Sequence, residues 1–293
     1  MNILVTGANG QLGNEMRVIA RESGDHYLFT DVNEVEGVET LHLDITDLEA
    51  VRQMVAEHEV EAIVNCAAYT NVDAAETNEA LAERLNAEAP ENLAKAMKEV
   101  DGLLIQISTD YVFGKEPYNV PCKEDQQGTP TGVYGMTKLH GEQRIVATGC
   151  KHVIIRTAWL YSPYGKNFVT TILRLATERD TIRVVSDQIG SPTYAHDLAL
   201  VIRDISEGRI AAEGLYHYTN EGVVSWYEFA RAIVNIAGLE CKVEACTTAE
   251  YGAKAPRPAY SVLCKAKISS VLEDEIPQWQ VSLERCIKRI NEL

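Results

Sequence analysis

The chain is 293 residues long and carries 43 acidic against 27 basic side chains, a formal net charge of −16, with 46% hydrophobic and 24% charged residues. That balance suits an ordinary globular protein and excludes a disordered chain, which could not bury enough apolar surface to offset its ordering entropy. An acidic surface argues against unassisted binding to nucleic acid or to an anionic membrane, and no apolar run approaches the ~20 residues of a bilayer span.

Met1 to Gly7 reads as a short strand running into a glycine turn, with no basic leader or cleavage site behind it, so no export signal is expected. Asn2 to Gly7 is the first strand and Leu12 to Arg21 the first helix, with apolar residues at Leu12, Met16 and Ile19. A strand over Tyr27 to Asp31, a helix over Thr46 to Glu57 and a strand over Ala62 to Ala68 follow. Ala74 to Val100 is helical with a break or new first turn near Pro90, and Gly102 to Ser108 is the fourth strand. A helix over Tyr134 to Ala147 and a strand over His152 to Arg156 continue the alternation.

This rhythm predicts an α/β fold, a Rossmann-like doubly wound parallel sheet. Past about residue 160 the elements shorten and glycines multiply. The expected organisation is a dinucleotide-binding domain over 1–160 and a smaller C-terminal substrate-binding region over 161–293, with some segments returning to the first. Ser225 and Glu228 form a capping-box signal for a helix through Ile236 ended by Gly238, and Ser282 to Leu293 is an amphipathic closing helix. Seven cysteines, an odd number without a C-x-x-C pair, suit a reducing cytoplasm. Cys241 and Cys246 lack the partners of a closed metal site.

Gly7, Gly10 and Gly13 lie between the first strand and helix, where missing side chains let the backbone turn tightly and approach a pyrophosphate at the helix N-terminus. Their G-x-x-G-x-x-G spacing departs from G-x-G-x-x-G, and a turn that merely serves packing is the bland alternative. Asp31 ends the second strand, where an acid accepts from a ribose hydroxyl. A carboxylate there repels a 2′-phosphate and no arginine occupies the glycine loop, so local electrostatics lean toward NADH over NADPH. Asp44 stands at a strand-to-helix turn, either as an adenine contact or beside a cap supplied by Thr46 or Asp47.

Tyr134 and Lys138 are four residues apart, hence on one helix face, and a nearby cation favours the ionised phenol. Y-x-x-x-K alone is weak, but this helix follows a strand ending in Ser108, Thr109, Asp110 and Tyr111, and ligands of open α/β sheets bind outside such strand ends. Thr109 can then donate to the carbonyl oxygen that Tyr134 protonates.

Together with Asn65–Asp73, Ser108–Phe113, Arg156–Tyr161, Asp187–Thr193 and Arg257-Pro258, these motifs make the sequence resemble the extended short-chain dehydrogenase/reductase superfamily, and within it the dTDP-4-dehydrorhamnose reductase family, over nearly the whole chain. The resemblance implies NADPH or NADH as cofactor and reduction of the C4 ketone of the nucleotide sugar dTDP-4-dehydro-L-rhamnose by a monomer or homodimer. It implies Thr109, Tyr134 and Lys138 as the catalytic set, with Lys138 also on the nicotinamide ribose. Gly7, Gly10, Gln11, Leu12, Gly13, Asp31, Asp44, Ile45, Ala68, Tyr69 and Thr70 match cofactor-lining positions. Val72, Asp73, Thr109, Asp110, Tyr111 and Trp159 match positions facing the nucleotide sugar. Trp159 either packs on the sugar or fills the core; Arg257 either meets the diphosphate or forms a surface ion pair.

Met136, His140, Tyr260 and Cys264 depart from the family's usual residues. Glu15 matches an acidic position that holds a divalent cation between subunits in some relatives, but Pro192–Asp197 lacks the second glutamate, so no metal is expected. Two other functions are open on this fold: an epimerase or dehydratase with retained NAD, and a non-catalytic nucleotide-binding regulatory subunit. Asp110 followed by Tyr111, where a dehydratase needs an adjacent acid pair, disfavours dehydration, and the intact Thr109, Tyr134 and Lys138 set disfavours the regulatory subunit.

Overall fold

The computed structural model describes residues 1–114, 119–252 and 255–293. The first half alternates β1 (Asn2–Thr6), α1 (Gln11–Ala20), β2 (His26–Asp31), β3 (Leu41–His42), α2 (Leu48–Glu57), β4 (Ala62–Asn65), α3 (Val72–Ala75), α4 (Glu79–Glu83), α5 (Ala89–Glu99), β5 (Leu103–Thr109), α6 (Val133–Thr148) and β6 (Lys151–Thr157). Then come β7 (Leu160–Tyr161), α7 (Phe168–Glu178), β8 (Thr181–Val185), β9 (Ile189–Gly190), β10 (Thr193–Tyr194), α8 (Ala195–Ser206), β11 (Gly214–His217), β12 (Val224–Ser225), α9 (Trp226–Ile236), β13 (Lys242–Cys246), α10 (Thr248–Tyr251), α11 (Ala266–Ser269) and α12 (Trp279–Glu292).

Seven strands form one parallel sheet in the order β11-β6-β5-β4-β1-β2-β3. Its central strands are apolar on both faces because helices cover both. Ile3, Val5, Val64 and Ile105 pack with residues of α1 and α8, whereas Leu4, Ile63 and Leu104 pack with residues of α2, α5 and α6. The strand order reverses between β1 and β4, which opens a crevice at the carboxyl ends of these strands. Residues 193–217 run back from the second region, so that α8 packs on α1 and β11 adds to the sheet beside β6. A separate core built on Tyr161, Val169, Phe229 and Leu283 holds the second region together.

Several boundaries differ from the sequence expectation. The helix expected from Thr46 starts at Leu48, because the Asp47 side chain accepts from the amides of Glu49 and Ala50 and caps it. The strand expected to reach Ala68 stops at Asn65, where the chain turns under Gly7. With φ of +63°, Gly7 would carry a Cβ only 2.6 Å from the Ala67 amide nitrogen.

The long helix expected over Ala74 to Val100 is four pieces: α3, α4, a π-turn over Arg84–Glu88, and α5 with Pro90 in its first turn. A proline ring clashes with the carbonyl four residues back, here Asn86, and a widened turn relieves that clash. The displaced Asn86 carbonyl abuts α6, where a Cβ on Gly141 would lie 2.1 Å from its oxygen. Gly141→Ala should therefore push α6 off the π-turn and cost about 1–3 kcal/mol, seen as a lower midpoint in chemical denaturation.

Candidate active site

A cleft of about 920 Å³ runs along the carboxyl edge of the sheet from the reversal point toward β6. Gly7, Gly10, Gln11, Leu12, Asp31, Asp44 and Ile45 line one end, Ala68, Thr70 and Val72 the middle, and Thr109, Asp110, Tyr111, Tyr134, Lys138 and Trp159 the other end. Residues scattered over 150 positions of sequence meet because they sit at the ends of parallel strands, on the turns that follow, or on the helices that start there, as Gln11 and Leu12 do on α1 and Tyr134 and Lys138 on α6.

At the first end, the glycine turn is held to a backbone shape no side chain could share. A Cβ on Gly13 would fall 2.5 Å from both the Gly7 carbonyl oxygen and the Ala8 Cα, so α1 begins directly against the turn. Gly13 thus serves close packing and does not line the cleft. Gln11 Oε1 is buried with no hydrogen-bond partner. A tight turn whose backbone amides open on a helix N-terminus fits the diphosphate of a dinucleotide, whereas the unpartnered Gln11 Oε1 is an acceptor and needs a donor from elsewhere.

Asp31 Oδ2 accepts from the Asn9 amide at 3.1 Å and Oδ1 from the Asn33 amide at 2.9 Å, which fixes the carboxylate at the rim. Asp44 Oδ1 accepts from the Thr46 amide and hydroxyl; burial opposes its charge, yet these two donors hold its carboxyl below the usual range. The cap belongs to Asp47, and Asp44 lines the cleft.

One expectation needs correction here. Although no arginine is in the glycine loop by sequence, Arg17 on α1 reaches back to it. Its guanidinium donates to Asn9 Oδ1 at 3.2 Å and to Thr40 Oγ1 at 2.8 Å, and lies 4.4 Å from the centre of the Phe29 ring. One helical turn beyond Gly13 brings it there, so the Asp31 end of the cleft is less uniformly negative than Asp31 alone implies.

At the other end, the Lys138 ammonium donates to the Ile107 carbonyl at 2.6 Å and is almost fully buried. Burial pulls it down to about 8. Thr109 is close enough to Tyr134 to favour its ionised form, and the Thr109 hydroxyl donates to Asp110 Oδ1 and accepts from the Tyr111 amide. The sequence argument expected a neighbouring cation to lower the phenol; instead burial pushes it up to about 12. Desolvation is the largest effect, and the Asp110 carboxylate adds to the rise. Burial also lifts Asp110 to about 6, with Oδ2 unpartnered.

This geometry has clear relatives. The model of the RmlD substrate binding domain family matches residues 1–292. The chain is 42% identical to the spore coat polysaccharide biosynthesis protein SpsK of Bacillus subtilis, over 89% of this chain and 88% of that protein. Among solved structures, a dTDP-4-dehydrorhamnose reductase of Clostridium acetobutylicum superposes with a TM-score of 0.91 at 40% identity, covering 99% and 100% of the two chains. A dTDP-4-dehydrorhamnose reductase of Bacillus anthracis in complex with NADP gives 0.88 at 38% identity, over 98% and 99%.

The chain belongs to the RmlD substrate-binding domain family. Against that family's pattern, three further residues matched by sequence stand away from the cleft lining: Tyr69, Asp73 and Arg257. The Tyr69 backbone is clamped on both sides by the Asn86 side chain, whose Nδ2 also donates to Thr137 on α6. Arg257 pairs with Asp73 at 2.9 Å, the surface ion pair that was its plainer reading. Trp159, with φ of +50°, stacks its indole on Trp226 at 3.5 Å between centroids, and both line the cleft.

Trp226 was missed because it opens a helix 67 residues beyond Trp159, with only its capping box visible in sequence. Asn9, Asn33, Gly165 and Lys166 were also missed; the last two arrive on the loop before α7, where Gly165 lies against the Gln11 side chain. Glu15, the position matched to a cation ligand, is fully buried and paired with Arg289 at 2.9 Å and His196 at 3.0 Å. Asp31→Ala should raise binding of NADPH relative to NADH by removing repulsion of the 2′-phosphate, measured as the ratio of dissociation constants from nicotinamide fluorescence; an unchanged ratio separates Asp31 from the ribose.

Proposed function

We propose that this chain reduces the C4 ketone of dTDP-4-dehydro-L-rhamnose to dTDP-L-rhamnose in the cytoplasm, using NADPH or NADH. The observation that carries this is the Thr109, Tyr134 and Lys138 constellation at one end of a cleft whose other end is the glycine turn. Its membership of a family with two reductases at about 40% identity over the whole chain supports the same reading.

When bound along the cleft, the dihydronicotinamide supplies the two electrons and hydrogen that the ketone carbon takes up. The residues of the chain then manage the oxygen. Held near 12, the Tyr134 phenol stays protonated at neutral pH and is the acid that such a reduction needs. As negative charge builds on the ketone oxygen, the phenol gives it a proton, and Thr109 stabilises the phenolate left behind. Lys138 contributes a fixed positive charge on the same helix face and a donor for the nicotinamide ribose. Trp159 and Trp226 provide an apolar wall for the sugar. Asp31 and Asp44 receive the adenosine, and the Gly10–Leu12 turn the diphosphate. Residues 161–293 add Gly165, Lys166 and Trp226 to the cleft, and Arg257, paired with Asp73, is kept for the nucleotide diphosphate only if that ion pair opens.

Purified protein should consume NADPH in equal measure with the keto sugar, followed by loss of nicotinamide absorbance; retained absorbance with altered sugar would indicate an epimerase or dehydratase. Tyr134→Phe should leave cofactor binding and melting temperature near wild type while lowering kcat at least about a hundredfold. Activity requires charged Lys138, so kcat/KM should fall as pH rises through about 8, read from a full pH profile.

A further inference from the structure

Behind the catalytic face of α6 lies a buried charge cluster that the mechanism above does not use. Glu142 is four residues after Lys138, on the same face of α6. Arg156 of β6 grips it with two hydrogen bonds, Nε to Oε1 at 2.9 Å and Nη2 to Oε2 at 2.6 Å, and both side chains are more than nine-tenths buried. Ser108 donates to the same Oε1. Lys138 and Glu142 are therefore anchored on consecutive residues of β5, the ammonium on the Ile107 carbonyl and the carboxylate on the Ser108 hydroxyl.

We propose that Glu142 is a positioning residue for the reduction: lodged between Arg156 and Lys138, its carboxylate cancels the field of the buried guanidinium and so keeps the Lys138 ammonium charged and seated on Ile107. This rests on the reductase reading of the site. The other groups around Lys138 do not supply that charge. Tyr134 stays neutral. Asp110 is committed to the Thr109 side. Burial and Arg156 drive His217 on β11 down to about 3, so it is neutral and accepts from Arg156. Burial pushes the Cys66 thiol up to about 12. On the outer face of α6, Glu83 and Glu91 are paired with His140 and Arg144. Among the described residues, the carboxylate of Glu142 is the charged group that raises the lysine against its desolvation.

The test uses two single variants of opposite sign and their combination. Glu142→Gln leaves Arg156 uncompensated and should move the alkaline limb of kcat/KM down by about one pH unit or more. Arg156→Gln leaves the carboxylate uncompensated and should move it up. The double variant, neutral at both positions, should return the limb toward wild type. A merely structural role would lower melting temperature in all three without opposite shifts, and that result overturns the proposal. If Glu142→Gln fails to fold, the direction of the Arg156→Gln shift decides alone. The pH dependence of NADPH binding, read by nicotinamide fluorescence, should show the same displacements without turnover; opposite shifts in binding from a protein that reduces no keto sugar would count against the reductase reading and not against Glu142.

Discussion

A lysine ammonium taken out of water needs a fixed acceptor, and the carbonyl of Ile107 is that acceptor. The contact ties α6 to the end of the central strand β5, which sets where Tyr134 stands relative to Thr109. Much of the surrounding structure keeps that contact in register. Gly135 lets α6 pass the Tyr111 carbonyl, where a Cβ would lie 2.1 Å from the oxygen, and Gly141 does the same at the Asn86 carbonyl. The Asn86 side chain then joins α6, through Thr137, to the segment after β4 that lines the cleft. Close packing of backbone on backbone leaves no slack for α6 to rotate and lose the strand.

The same burial explains why the two titrating groups move in opposite directions. Removing both from water destabilises whichever form is charged, so the phenol rises and the ammonium falls. The result is a protonated acid next to a cation that remains charged at neutral pH, an arrangement suited to giving a proton to a developing oxyanion. Expecting the cation to depress the phenol counted the Coulomb attraction and left out the cost of taking the phenolate out of water. In the folded site desolvation outweighs it.

The legible parts of the sequence were those whose signal is local. Gly7 to Gly13, the capping box of Ser225 and Glu228, and the Tyr134/Lys138 spacing each express a constraint within one turn or one helix. Boundaries went wrong where a distant partner decided them. The π-turn exists because Pro90 displaces a carbonyl that α6 has a glycine ready to receive, and strand β4 ends where Gly7 crosses it. Arg17 is ordinary in sequence, and only the approach of Asn9 and Thr40 brings it to the glycine turn.

By itself the sequence determined the alternating order of strands and helices, the glycine turn, and the pairing of a phenol with an ammonium on one helix face, because periodicity and short spacings are properties of the chain alone. Tertiary structure decided which distant residues come together: that Trp226 covers Trp159, that Gly165 lies against Gln11 while Arg257 pairs with Asp73, and that Glu142 and Arg156 lie behind Lys138. Those contacts join residues far apart in the chain or on separate elements, and they form only when strands pair and helices pack. Burial of a charge, which sets the protonation of the site, is a property of that packing and of no single residue.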